Sequence, residues 1–81
     1  MNIEFNEAAF KHKISEDRIL YALNRPQYEG PLDEDENKYI VVGFDNIGNL
    51  LEIFYNIIDD ETINIFHAMN CRNIFLPLLD T

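Results

Sequence analysis

Three runs of β-branched and aromatic residues, each closed by a short polar turn, constrain this chain more than any other feature. They are Tyr39 to Phe44, Leu50 to Ile58 and Thr62 to Met69, and residues of this kind suit a pleated, half-buried surface. Asp45-Asn46-Ile47-Gly48 joins the first pair and Asp59-Asp60-Glu61 the second. The pattern predicts an antiparallel meander. In its longest strand Leu51, Ile53, Tyr55 and Ile57 share one face, while Glu52 and Asn56 point the other way. By the same alternation His67 falls on the side of Ile63 and Ile65, hence toward the helices expected to cover that face, near the open end of the last strand.

Two short helices are expected ahead of the sheet. Asn6 is placed to cap the first, with Glu7 in its opening turn and Phe5 and Phe10 spaced as a hydrophobic staple. Ser15 repeats the device between Ile14 and Ile19, with Glu16 and Asp17 at the positive end of the helix dipole. Ile19, Leu20 and Leu23 then form an apolar stripe until Pro26 restricts Arg25. A short edge strand near Gln27 to Glu29 is compatible with the residues that follow. Asp33-Glu34-Asp35-Glu36 reads as a solvated loop. The expected architecture is one α+β domain over residues 1–81: two N-terminal helices on a three- to four-stranded antiparallel sheet, with a short C-terminal segment. Within that segment Ile74, Phe75, Leu76, Leu78 and Leu79 flank Pro77. They form either a last piece of core or a patch that buries itself against a second chain, such as another copy of this one.

An 81-residue chain of this kind buries roughly 60 to 65% of its unfolded surface, which leaves no room for a second domain or a large cofactor site. At 47% hydrophobic residues it can build a core and is not of the disordered class. The lone Cys71 fits a reduced thiol in a cytoplasmic protein, and the N-terminus lacks a charged leader followed by a long apolar stretch. No membrane association is expected.

The net charge of −9 disfavours nucleic acid, whose phosphates repel an acidic surface. Its distribution is uneven: residues 1–28 sum to zero through Lys11, Lys13, Arg18 and Arg25, so the whole excess lies in residues 29–81. Asp33, Asp35 and Asn37 superficially open a calcium loop, but Lys38 stands where glycine is needed and Phe44 where a glutamate is needed. No zinc spacing or phosphate-cradling glycine loop is present, and neither cofactor nor metal is expected. What remains is Lys11, His12, Lys13, Arg18, His67 and Arg72. Imidazoles move protons near neutral pH and guanidinium holds planar anions, so convergence of these groups would suit metal-independent chemistry on a phosphodiester. The plainer reading is a hydrogen-bonded core histidine and surface cations.

Three phrases resemble the BrnT-type toxins of bacterial toxin–antitoxin pairs and their uncharacterised relatives. Lys11-His12-Lys13-Ile14-Ser15 is similar to the family's Lys-His-Gly-Val-Ser. The strand pair Tyr39-Ile40-Val41-Val42-Gly43 and Leu50-Leu51-Glu52-Ile53-Phe54-Tyr55 is the second phrase. Ile65-Phe66-His67-Ala68-Met69 followed by Arg72 is similar to a closing strand of the Ile-Ile-Ser-Ala-Arg kind. The resemblance implies a RelE-like domain and an endoribonuclease that arrests translation until an antitoxin binds it. For that reaction, the placement of His67 and Arg72 at a strand end suits His67 as the general acid or base and Arg72 as the phosphate binder, with His12 and Lys11 assisting at the same edge. Met69 stands where the family usually has arginine, Lys13 where it has glycine, and the basic C-terminal helix is reduced to Asn73 through Leu79. The alternative function is a catalytically silent interaction module, or an acidic decoy that binds a basic protein through Asp33 to Glu36 and Asp59 to Glu61.

Overall fold

The computed structural model describes residues 1–34 and 37–80, and its first element is a strand. Asn2-Ile3-Glu4-Phe5 alternates polar and apolar side chains, and as β1 (Asn2–Phe5) it turns Ile3 and Phe5 toward the core. It pairs in parallel with the last strand, Asn2 opposite Thr62 and Phe5 opposite Ile65. The chain then makes one 3-10 turn (Glu7–Phe10) before α1 (Glu16–Leu23), β2 (Pro26–Pro31), β3 (Lys38–Phe44), β4 (Leu50–Asp59) and β5 (Thr62–Asn70). A second 3-10 segment (Asn73–Leu79) ends it. The sheet order is β1-β5-β4-β3-β2.

This corrects the expected architecture. The chain is a small α+β domain with a five-stranded mixed sheet, not two N-terminal helices on a three- to four-stranded antiparallel one in the RelE-like manner. The physical reason lies at the N-terminus. Four residues before Asn6 suffice to add an edge strand to β5, and the β1–β5 parallel connection is spanned by everything between them. The first expected helix shrinks to a single 3-10 turn. Asn6 does cap it, Oδ1 accepting the Ala8 N–H at 2.9 Å, and the Phe5 and Phe10 rings do stack at 5.4 Å.

The second helix forms as its sequence signals. Ser15 Oγ accepts the Arg18 N–H at 3.3 Å, and Ile14 and Ile19 on either side of the cap are buried. Ile19 and Ala22 seat α1 on one face of the sheet, against Val41, Leu51, Ile53, Tyr55, Ile63, Ile65 and Ala68. Burying an Ile or Leu side chain contributes about 1.5–3 kcal/mol, so this face is the main source of cohesion. Ile40 and Val42 are buried on the opposite face of β3. The C-terminal segment belongs to that second face, where Phe75 meets Phe54 edge-on at 5.7 Å. The tail is therefore divided: Phe75, Leu78 and Leu79 are partly buried, whereas Ile74 is 74% exposed and Leu76 39%. Among the described residues no helix is long and apolar enough to cross a membrane.

Candidate active site

A bulge in the β4–β5 ladder decides where the chemical groups point. Phe54 lies opposite His67 but Tyr55 lies opposite Ile65, so β5 carries one extra residue, Phe66, at that step. The alternation changes phase there. Ile63, Ile65 and Ala68 face α1, whereas His67 joins Glu52 and Phe54 on the opposite face. The expectation that His67 points toward the helices with Ile63 and Ile65 is overturned.

Glu52 is the centre of the cluster and was not among the residues singled out from sequence. Its side chain is fully buried. It accepts the Arg72 backbone N–H at 2.8 Å, Arg72 Nε at 3.1 Å on both oxygens, and Arg72 Nη2 at 2.6 Å. His67 Nε2 lies 2.9 Å from Oε2. Burial, the largest single influence, pushes the Glu52 carboxyl up, but the bonds from the Arg72 side chain, its backbone N–H and His67 together outweigh it and hold the group below its ordinary value. Glu52 is therefore ionised and can only accept. Nε2 of His67 must then be the donor, which turns Nδ1, the nitrogen with a lone pair in the neutral ring, away from the carboxylate.

His12, leaving the first 3-10 turn, sets its ring edge-on to His67 with centroids 5.5 Å apart. Phe54 stacks on the other side of His67 at 4.2 Å. The two imidazoles predicted from sequence do come together, as does Arg72. Lys11 is exposed next to His12, and among the described residues no polar contact ties its side chain to the cluster. The guanidinium of Arg72 is half exposed and lies over the Phe75 ring at 5.5 Å. Glu52 takes its Nε and Nη2, so its first role is to neutralise a buried carboxylate; only the Nη1 edge is left for an outside anion.

Other groups are bound up elsewhere. Arg18 Nε donates to the buried Asp45 at 2.8 Å, and Arg25 lies 3.9 Å above the Tyr21 ring. Burial pushes the Cys71 thiol up and the Glu52 charge adds to it, outweighing Arg72, which disfavours the reactive thiolate. Two cavities of about 320 and 300 Å³ lie at the other end of the α1 face, sharing Met1, Tyr55 and Ile63. The Tyr55 phenol there donates to Glu29 at 2.6 Å, and burial followed by that bond raises it far from neutrality. Both histidines lie at the Glu52 cluster and neither lines these cavities. Among the described residues no group of three or more His, Cys, Asp or Glu side chains is arranged to hold a metal ion.

Fold and site together define a small α+β domain carrying a histidine–carboxylate–arginine cluster at a sheet bulge. Comparison with protein-family models, curated proteins and solved structures finds no match to this chain.

Proposed function

We propose that the chain is a metal-independent endoribonuclease of the bacterial toxin type, related to the BrnT-type family that its three phrases resemble. The observation that carries this reading is the meeting of two imidazoles, one of them oriented by a buried carboxylate. His67 Nδ1 takes the proton of a ribose 2′-hydroxyl. The freed oxygen attacks phosphorus, and the bond from phosphorus to the 5′-oxygen breaks. His12 as imidazolium gives its proton to that leaving oxygen, yielding a 2′,3′-cyclic phosphate and a 5′-hydroxyl. The outward edge of Arg72 and the neighbouring Lys11 supply positive charge for the phosphorane. Such a reaction belongs in the cytoplasm, where translated RNA is found. Lys13 adds support for the kinship: its backbone is left-handed, φ 65°, at the position where the family carries glycine.

The test is expression of the chain alone, with RNA integrity and growth followed in EDTA-treated extracts and in cells. Cleavage that resists EDTA and leaves cyclic phosphate ends is expected. His67→Ala and His12→Ala should each lower the rate roughly 10²- to 10⁴-fold. A folded wild type that leaves RNA intact refutes the proposal.

A second reading is favoured by the exposed Ile74 and Leu76: the same chain as an interaction module whose C-terminal segment docks on an antitoxin-like partner or on a second copy of itself. Sedimentation across a concentration series tests the copy, and co-purification with the product of an adjacent coding sequence tests the partner. The acidic-decoy variant of this reading rests in part on Asp35 and Glu36, which lie outside the described residues. Its other half, Asp59 to Glu61, is engaged in the β4–β5 turn, where Asp59 Oδ1 accepts the Glu61 N–H at 2.9 Å.

A further inference from the structure

The face of β4 and β5 turned away from α1 is organised as three successive rungs. Glu52 with His67 and Arg72 forms a charged rung. Phe54, stacked on His67 at 4.2 Å and tilted against Phe66 at 6.1 Å, forms an aromatic one. Asn56 and Asn64, opposite each other in the register and joined by Asn64 Nδ2 donating to Asn56 Oδ1 at 3.0 Å, form an amide one. Alternate residues of a strand lie about 7 Å apart on one face, so each rung is a short step from the next.

From this we infer that Phe66 and the Asn56–Asn64 pair bind one unpaired nucleobase of single-stranded RNA, the ring stacked on Phe66 and its edge against the amides. The inference rests on the ribonuclease reading for the position of the scissile phosphate at the charged rung. A nucleotide with its phosphate there carries its base along the strand direction, over the aromatic rung. Phe66 is partly exposed; alternation from the core-facing Ile65 puts it on this face, and the bulge sets His67 beside it. Among the described residues nothing bonds Asn64 Oδ1 or Asn56 Nδ2, which leaves the pair one acceptor and one donor for a ligand. Every base presents that complement on its Watson–Crick edge, and a duplex hides it, so the site selects unpaired strands. Stacking and amide bonds carry no charge. They let a chain of net charge −9 hold RNA without the basic surface that backbone binders use.

The experiment titrates a single-stranded 2′-deoxy hexanucleotide, which lacks the attacking hydroxyl, into the ¹⁵N-labelled full chain. The expected result is a saturable shift of the Asn56 and Asn64 side-chain amide signals, absent with the same sequence as a duplex. Affinity should fall only about threefold for a fourfold rise in salt, as for one phosphate contact. Phe66→Leu keeps apolar volume but removes the stacking plane and should weaken binding roughly 5- to 100-fold, while Phe66→Tyr retains it; thermal unfolding of each variant is measured alongside. Shifts confined to other residues, equal binding of the duplex, or wild-type binding by a folded Phe66→Leu chain would overturn the inference. The two proposals separate cleanly. Binding at these rungs without RNA cleavage keeps the base site and removes the nuclease. Cleavage with an unchanged KM in Phe66→Leu keeps the nuclease and removes the base site.

Discussion

Glu52 has no contact with water and five hydrogen-bonding contacts from two residues, so its charge is as much a structural element as a chemical one. Its folded-state value is depressed from an ordinary 4.5. Its contribution is therefore complete above that unfolded value and is lost as pH falls through the lower folded one. Glu52→Gln should destabilise the chain at pH 7 by about 1.5–3 kcal/mol, the range for hydrogen bonds to charged groups. The gap between variant and wild type in urea unfolding should close as pH drops below 4.5; a gap independent of pH would show that the charge contributes nothing. Lys13 makes the opposite case. A left-handed backbone costs a non-glycine residue roughly 1–2 kcal/mol, and the Lys13 ammonium is exposed. Lys13→Gly should raise stability by about 1 kcal/mol after the entropy glycine loses on folding is set against it, measured by the same unfolding midpoint. His67, His12 and Arg72 were legible because residues of their chemistry are rare in this sequence and fall near element ends. Glu52 was missed because a single acid on a strand reads as its solvent side. Its signal was there: Leu50 and Phe54 flank it at spacing two, which places a carboxylate on an apolar face and demands a partner.

At the scale of elements, α1 lies close enough to β3 that one residue must be glycine. A methyl group on Gly43 would come within 2.7 Å of the Ala22 carbonyl oxygen and 3.1 Å of that of Arg25, both backbone atoms that cannot step aside. Gly43→Ala is expected to cost about 1–3 kcal/mol, as overpacking does, with the near-UV signal of Tyr39 and Tyr55 changing as the helix is pushed off. A thermal midpoint equal to wild type would mean that α1 docks less tightly than this geometry requires. The runs Tyr39 to Phe44, Leu50 to Ile58 and Thr62 to Met69 were readable as β3, β4 and β5 because composition, periodicity and turn residues agree there. The β1 strand was not. Asn2 to Phe5 is too short for its alternation to stand out, and its partner is a strand that begins at Thr62. A pairing so distant leaves no local mark. Nor does the bulge, since Phe66 and His67 suit either face of a sheet, and one inserted residue moves every side chain after it to the other side.

For the whole molecule the governing quantity is a net charge of −9 held within extents of 30 × 27 × 20 Å. The cations do little to relieve it at long range. Arg18 is committed to Asp45 and Arg72 to Glu52, each cancelling one carboxylate at contact distance. The remaining carboxylates repel one another across the fold and relax when it opens, which destabilises the compact state. The screening length is about 30 Å at 0.01 M salt, comparable to the molecule itself, and about 3 Å at 1 M, less than the gap between most surface groups. Salt must therefore remove the long-range repulsion while leaving the two partly buried ion pairs largely intact. Thermal unfolding in sodium chloride from 0.01 to 1 M should show the midpoint rising with ionic strength. Relief on the order of 1 kcal/mol is read in a domain of this size as a rise of roughly 4–8 °C. A midpoint that falls instead would mean that the Arg18–Asp45 and Arg72–Glu52 pairs are themselves screened and outweigh the repulsion. In that case the double variant Asp45→Asn, Glu52→Gln should lose the negative slope, and the repulsion among the surface carboxylates would be the smaller of the two effects.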